Sequence, residues 1–317
     1  MSFEDYLVKN IDYNTKRNPE SNLMDNEVLL TELLSKREKF LKDNRPNEMD
    51  FIDIYSEEKI KKDLNDVSFL KGKWQKKLDE KEPKEQYLRK ISSIFEILLV
   101  EQIEQNNWLG NNSETFVASE TDDLKNKIDF GVFFNVENNE EVSRHLGFST
   151  DVVFSSDMEY VSNKLDSIKS CIDSGLLPTL EYFEDPITGE HKKIFLPKVV
   201  VGSSLSSAER LIKIWGSHDS HKNKILAEDP IQAQIVLESI YQLKYFYNYA
   251  KDLYIKNKGD SEKSQKYLEI AKSYGEMNNI FCEIYEEKKK IINTYFDSSN
   301  NKDLVYQKIC QYTGNIV

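Results

Sequence analysis

The sequence predicts a mixed α/β protein, in which a block of order helix, strand, strand, strand, helix, strand is flanked by helices on both sides. Three observations predict it. Helical spacing of apolar residues gives way after Gly110 to short runs rich in β-branched and aromatic residues. Those runs are interrupted once by an amphipathic helix and return as far as Gly202, after which helical spacing holds to the end of the chain. The 11 glycines and 7 prolines in 317 residues are few for an all-β chain, so long helices should dominate.

The elements follow in order. The first fifty or so residues are polar, with one amphipathic stretch carrying Val28, Leu29, Leu30, Leu33 and Leu34. From Glu57 to Lys90 lysines are dense but acidic residues are interleaved, which reads as a solvated helix face rather than a nucleic-acid patch. Pro83 and Glu85 open a helix whose Leu88, Ile91, Ile94, Phe95, Leu98, Leu99 and Ile103 form a buried stripe ending near Trp108-Leu109-Gly110. Strands are expected over 114–119, 128–135 and 145–154, separated by a polar turn at 120–127 and a second at Asn138-Asn139. A helix over 157–174 presents Met158, Val161, Leu165, Ile168 and Ile172 on one face and is closed by Gly175.

Leu180–Phe183 is a short strand, Pro186–Gly189 a turn, and 193–202 one apolar strand whose Val199-Val200-Val201 suits a buried central position. A helix from Ser206 to Trp215 precedes a break at 216–221. A long helix opened by Asp229-Pro230 follows, then another over 261–293 after Gly259-Asp260, and a short final one. This divides the chain into a helical N-terminal arm (1–86), an α/β core (87–216) and a C-terminal helical hairpin (217–317).

Charge and cysteine usage bound the function. With 43 basic and 55 acidic residues the net charge is −12, which repels nucleic acid at long range, so such contact needs a local basic surface or bridging metal ions. Cys171, Cys282 and Cys310 are far apart and form no ligand spacing; each reads as a small buried apolar residue in a reducing compartment. The acidic start Met1–Tyr6 lacks the features of a signal peptide and no apolar run is long enough to span a bilayer, so a cytoplasmic location with no membrane contact is expected. His218 and His221 have no third ligand nearby in sequence. There is no phosphate-binding glycine loop and no Gly-x-Ser-x-Gly.

The chemistry concentrates in carboxylates: Glu101 and Glu104 late in the first core helix, Asp122 and Asp123 in the turn, Asp129 opening the second strand and Asp151 in the third. Asp129 among Ile128, Phe130 and Val132, and Asp151 before Val152-Val153-Phe154, each put a charge beside apolar surface, which is costly without a partner. Acidic side chains converging from neighbouring strands repel unless a hard cation lies between them, and Mg²⁺ favours such oxygen ligands. The bland readings are a turn role for Asp122-Asp123, a loop cap for Asp129, and solvent exposure for Glu101 and Glu104.

This order of elements and acids, from Ile91 to Gly202, resembles the core of the PD-(D/E)XK (restriction-endonuclease-like) nuclease superfamily. The resemblance implies a Mg²⁺-dependent phosphodiester hydrolase, with Mn²⁺ as a substitute, acting on nucleic acid. Asp129 is then the first motif acid, Asp151 the second, and Glu101 or Asp123 completes the metal shell. The sequence departs from the pattern two residues after Asp151, where the family's lysine is replaced by Val153. Lys164, with Lys169 and Lys127, are the candidates to replace it. The alternative is a non-catalytic module that keeps the nuclease-like fold and binds nucleic acid, a protein partner or a second copy through its helical flanks. Segments including Glu101–Gly110, Ser119–Asp123, Pro197–Gly202 and Asp229–Gln232 are also similar to a family of candidate-phyla-radiation (Patescibacteria) proteins; that implies a bacterial cytoplasmic family and no particular activity.

Overall fold

A computed structural model describes residues 27–136, 144–153, 158–185, 188–297 and 303–315. The chain is a mixed α/β fold with helices flanking the sheets at both ends. Its helices are α1 (Glu27–Asn44), α2 (Glu57–Asp79), α3 (Pro83–Asn106), α4 (Met158–Asp173), α5 (Leu205–Trp215), α6 (Lys222–Ala227), α7 (Ile231–Lys256), α8 (Ser261–Glu287), α9 (Lys289–Asp297) and α10 (Leu304–Thr313). Strands β1 (Ser113–Val117), β2 (Phe130–Val136), β3 (Arg144–Val153) and β6 (Lys198–Gly202) form one sheet in the order β1-β2-β3-β6, and β4 (Thr179–Glu184) pairs with β5 (His191–Phe195) in a separate hairpin. The first three strands of the large sheet are antiparallel, and β6 joins parallel to β3 after the crossover through α4.

Alternation along β2 explains how the sheet is covered. Phe130, Val132 and Phe134 face the main core, where α3 supplies Ile91, Ile94, Phe95 and Leu98; the intervening Phe133 faces the opposite way. There it meets Phe116, Leu180, Phe183 and Leu196 in a second, smaller core closed by the β4–β5 hairpin. Gly131 faces Phe116 across the strand pair, and a Cβ there would come within 2.0 Å of the ring. The main core runs from Leu30 in α1 to Cys310 in α10, so the flanking helices and the sheet share apolar contacts.

The helix caps follow the sequence. Pro83 starts α3, and left-handed Asn107 (φ 51°) ends it with its N–H on the Gln102 carbonyl. Gly175 at φ 71° closes the turn after α4, donating to Ile172 at 2.8 Å. Asp260 accepts from Lys263 N at the start of α8, and Asp303 from Val305 N and Tyr306 N at the start of α10. Among the described residues no helix is long and apolar enough to cross a membrane.

Several expectations are corrected. The run 193–202 is two strands in different sheets, because Pro197 has no N–H to donate and the ladder stops there. Val199-Val200-Val201 is fully buried, yet β6 is an edge strand. Helix side chains take the place of the next strand: Val200 N donates to Gln242 Oε1 at 2.8 Å, and Gln242 Nε2 donates back to Val200 O at 2.7 Å. Gly202 N donates to Glu238 at 3.0 Å and Gln234 donates to Gly202 O at 3.0 Å, while Tyr274 of α8 serves both backbone groups of Lys198. The segment 261–293 breaks into α8 and α9 at Lys288. Of the cysteines, Cys310 is buried, Cys171 half-buried and Cys282 exposed. The turn at Asn138-Asn139, Phe154 and Pro186-Ile187 lie outside the described residues.

Candidate functional site

The segment between β1 and β2, expected as a polar turn, is a π-helical turn over Asp122–Asn126 that ends in left-handed Lys127 (φ 58°). Asp122 has no exposed surface and accepts four hydrogen bonds: from Glu181 N (2.8 Å), Tyr182 N (3.0 Å), Ser119 Oγ (2.9 Å) and Asn126 Nδ2 (2.7 Å). Burial raises its pKa, and these donors oppose the shift. Asp122 therefore ties this turn to β4. Asp63 of α2 does related work nearby: burial acts to raise its carboxyl, but bonds from Lys125, Lys59 and Tyr182 outweigh that and bring it to about 2.

The turn delivers Asp129 to the head of β2. The last paired rung of β2 and β3 is Phe130 with Thr150; Asp129 precedes Phe130 in the chain, and Asp151 follows Thr150 on β3, where it is paired on its other side with Val200. The two expected motif acids thus each adjoin the Phe130–Thr150 rung along the chain.

Asp129 and Asp123 line one small cleft, together with Glu96 and Arg45; it holds about 10 Å³, the room of a single water. Arg45 follows α1 and donates to Asp123 at 2.7 Å, with Glu120 at 3.6 Å. Its Nε is buried with no hydrogen-bond partner. Burial raises the Asp123 pKa while the Arg45 charge works against the rise. The other expected acids are elsewhere. Glu101 faces Lys36 (2.9 Å) and accepts from Trp215 Nε1 (2.7 Å), and Glu104 accepts from the hydroxyl (2.6 Å) and the backbone N–H of Thr115 in β1. Glu104 is exposed, as its helix pattern suggested, whereas Glu101 is half-buried. Among the described residues no group of three or more His, Cys, Asp or Glu side chains is arranged to hold a metal ion.

The lysines considered from sequence point to different places. Lys164 lies 5.2 Å from the Tyr160 ring centroid and Lys169 lies 4.7 Å from that of Tyr249. Lys127 donates to Leu124 O at 2.6 Å. The residue that sequence reasoning missed is Lys198. It is the one charge inside the apolar run 196–202, is buried, and donates its Nζ to the Lys127 carbonyl. Lys198 sits on β6 beside Ser149, Lys127 precedes β2, and β3 lies between those strands. That bond ties the first residue of β6 to the residue two positions before Asp129. The available signal was a lysine at the first position of a strand that is otherwise entirely apolar, since a buried ammonium needs a nearby acceptor.

No family model, curated protein or solved structure matches the chain.

Proposed function

We propose that the block from α3 to β6 is a restriction-endonuclease-like core and that the chain is a Mg²⁺-dependent phosphodiester hydrolase, with Asp129 and Asp151 as the metal ligands. The observation that carries this reading is Lys198: its ammonium reaches from β6 to the carbonyl of Lys127, two residues before Asp129. The cation role left open by Val153 then falls to Lys198 rather than to Lys164, Lys169 or Lys127. Two carboxylates suit Mg²⁺, which commonly uses one or two and completes its octahedron with waters and phosphate oxygens. When bound there, the ion supplies charge stabilisation to the phosphate and acidifies an attacking water. Asp129, held at the end of β2, orients one oxygen donor; Lys198 holds a positive charge and a proton against the developing charge. Arg45 neutralises Asp123 and Lys36 neutralises Glu101, so neither acid is in the proposed shell.

A second reading, a binding module without catalysis, is favoured by the cleft itself. The Arg45 guanidinium is already bonded to Asp123 there, and only about one water's room remains beside Asp129.

Isothermal titration with Mg²⁺ and Mn²⁺, run beside a cleavage assay on labelled DNA and RNA, separates the two. Metal binding abolished by Asp129→Ala/Asp151→Ala, with cleavage abolished by Lys198→Met, supports the hydrolase. Wild-type protein that binds neither ion overturns it and leaves the binding module.

A further inference from the structure

The sequence reads α2 as a solvated lysine face, and one of its lysines and one beside it are paired with acids. Lys71 pairs with Glu120, and Lys125 bonds Asp63 at 2.8 Å and Asp66 at 2.9 Å. Trp74 does not fit that account. It is 45% exposed, whereas Trp108 and Trp215 are 1% and 5% exposed. Two cations lie over its ring: the Arg89 guanidinium of α3 at 4.6 Å from the centroid and Lys127 Nζ at 5.7 Å. Among the described residues Arg89 has no carboxylate partner, and its guanidinium lies over the indole. Phe69, 70% exposed, adds a second large apolar side chain to the same helix.

An exposed indole costs hydration unless something covers it, and a nearby arginine without a carboxylate selects an anionic cover. We propose that Trp74, Arg89 and Lys127 form a stacking site for an unpaired nucleotide, so that the chain engages single-stranded nucleic acid. Trp74 offers the exposed part of its ring to the base, and Arg89 and Lys127 meet the adjoining phosphates. A duplex keeps its bases stacked on each other and cannot use the indole in this way. The site also explains how a chain of net charge −12 can hold a polyanion: the contact is short, local and aromatic. Its position rests on the reading above, because Lys127 is also the residue whose carbonyl accepts Lys198, two positions before Asp129.

The test is titration of wild-type protein with a 15-mer oligothymidylate in EDTA, following tryptophan emission, with labelled-oligonucleotide anisotropy for the variants. Since the other two tryptophans are buried, quenching by the strand reports on Trp74. Trp74→Ala is expected to lose roughly ten- to a hundredfold in affinity and Trp74→Phe less, the range expected for one base–aromatic stack. Arg89→Gln should weaken binding and reduce the slope of log K against log salt by about 0.7, the value for one phosphate contact on a single strand. A blunt duplex of equal length should compete poorly. The proposal is overturned by absence of oligonucleotide binding in the wild type, which would leave the face to a protein partner. Unchanged affinity in Trp74→Ala, or equal competition by the duplex, overturns it as well. Because EDTA removes the metal, binding without Mg²⁺-dependent cleavage would overturn the hydrolase reading alone.

Discussion

Replacing Gln242 with methionine tests whether helix side chains truly stand in for a strand along β6. Gln242 both accepts from Val200 N (2.8 Å) and donates to Val200 O (2.7 Å), and it also donates to Glu238 O at 2.8 Å. Methionine has similar length and fits an apolar site, so the change removes polarity with little loss of volume. It leaves a backbone N–H and a carbonyl of a fully buried residue without partners. Each orphaned group costs about 1–3 kcal/mol, so the variant should lose about 2–6 kcal/mol. Urea unfolding followed by far-UV circular dichroism measures it, read as a lower midpoint at unchanged slope. Gln265→Met is the control: Gln265 is exposed on α8 and bonds only Glu269 (3.0 Å), so its loss should stay within about 0.5 kcal/mol. A Gln242→Met cost indistinguishable from that of the control would refute the reasoning, since the edge of β6 would then be satisfied by other means.

Glu238 is fully buried and its pKa is raised well above the ordinary value, chiefly by burial and further by Asp303. A raised carboxyl favours folding in its protonated form, so stability is lost as pH climbs from the unfolded value through the folded one. Glu238→Gln should therefore melt higher than wild type at pH 8 by a margin that shrinks towards pH 4; a margin independent of pH would count against the buried charge. Asp63 has the opposite sign: with its carboxyl at about 2, its contribution is present above about pH 4 and fades as pH falls towards 2, so Asp63→Asn should cost stability at pH 7 and little at pH 2, measured by chemical denaturation. Gly131→Ala drives a methyl into Phe116 and should cost about 1–3 kcal/mol in urea unfolding, with Phe116→Leu in the same chain recovering part of it; simple additivity of the two changes would argue against that contact.

The order of elements was legible because each rests on local signals. The stripe from Leu88 to Ile103, the Pro83 start and the Gly175 stop all appear where their chemistry requires. Errors came where a decision depended on distant residues. Nothing local to Val199–Val201 tells an edge strand from a central one, because the groups that complete its outer side are Gln234, Glu238, Gln242 and Tyr274, 32 to 76 residues away in the chain. Asp122 and Asp123 are adjacent in sequence with identical side chains, yet one is a four-bond anchor for β4 and the other the partner of Arg45. Of the candidate site, the placement of Asp129 just before β2 and of Asp151 on the neighbouring β3 followed from strand order alone. Lys198 did not, because its relevance depends on β6 lying on the far side of β3 from Lys127.

The closure of β6 by α7 also has a metric consequence. Four residues of helix advance about 6.0 Å, and two residues of parallel strand about 6.6 Å. Helix positions four apart can therefore address every second residue of an adjoining strand, as Glu238 and Gln242 do for Gly202 and Val200. The mismatch of roughly 0.6 Å accumulates with each step, so a straight helix keeps pace with a strand for only a few such contacts. At Lys198, one step further on, the bonding passes from α7 to Tyr274 of α8, and the α7 position that would have come next is the apolar Phe246. Helix and strand behave here as two rulers with nearly equal divisions, and the short length of β6 falls within the stretch over which their marks agree.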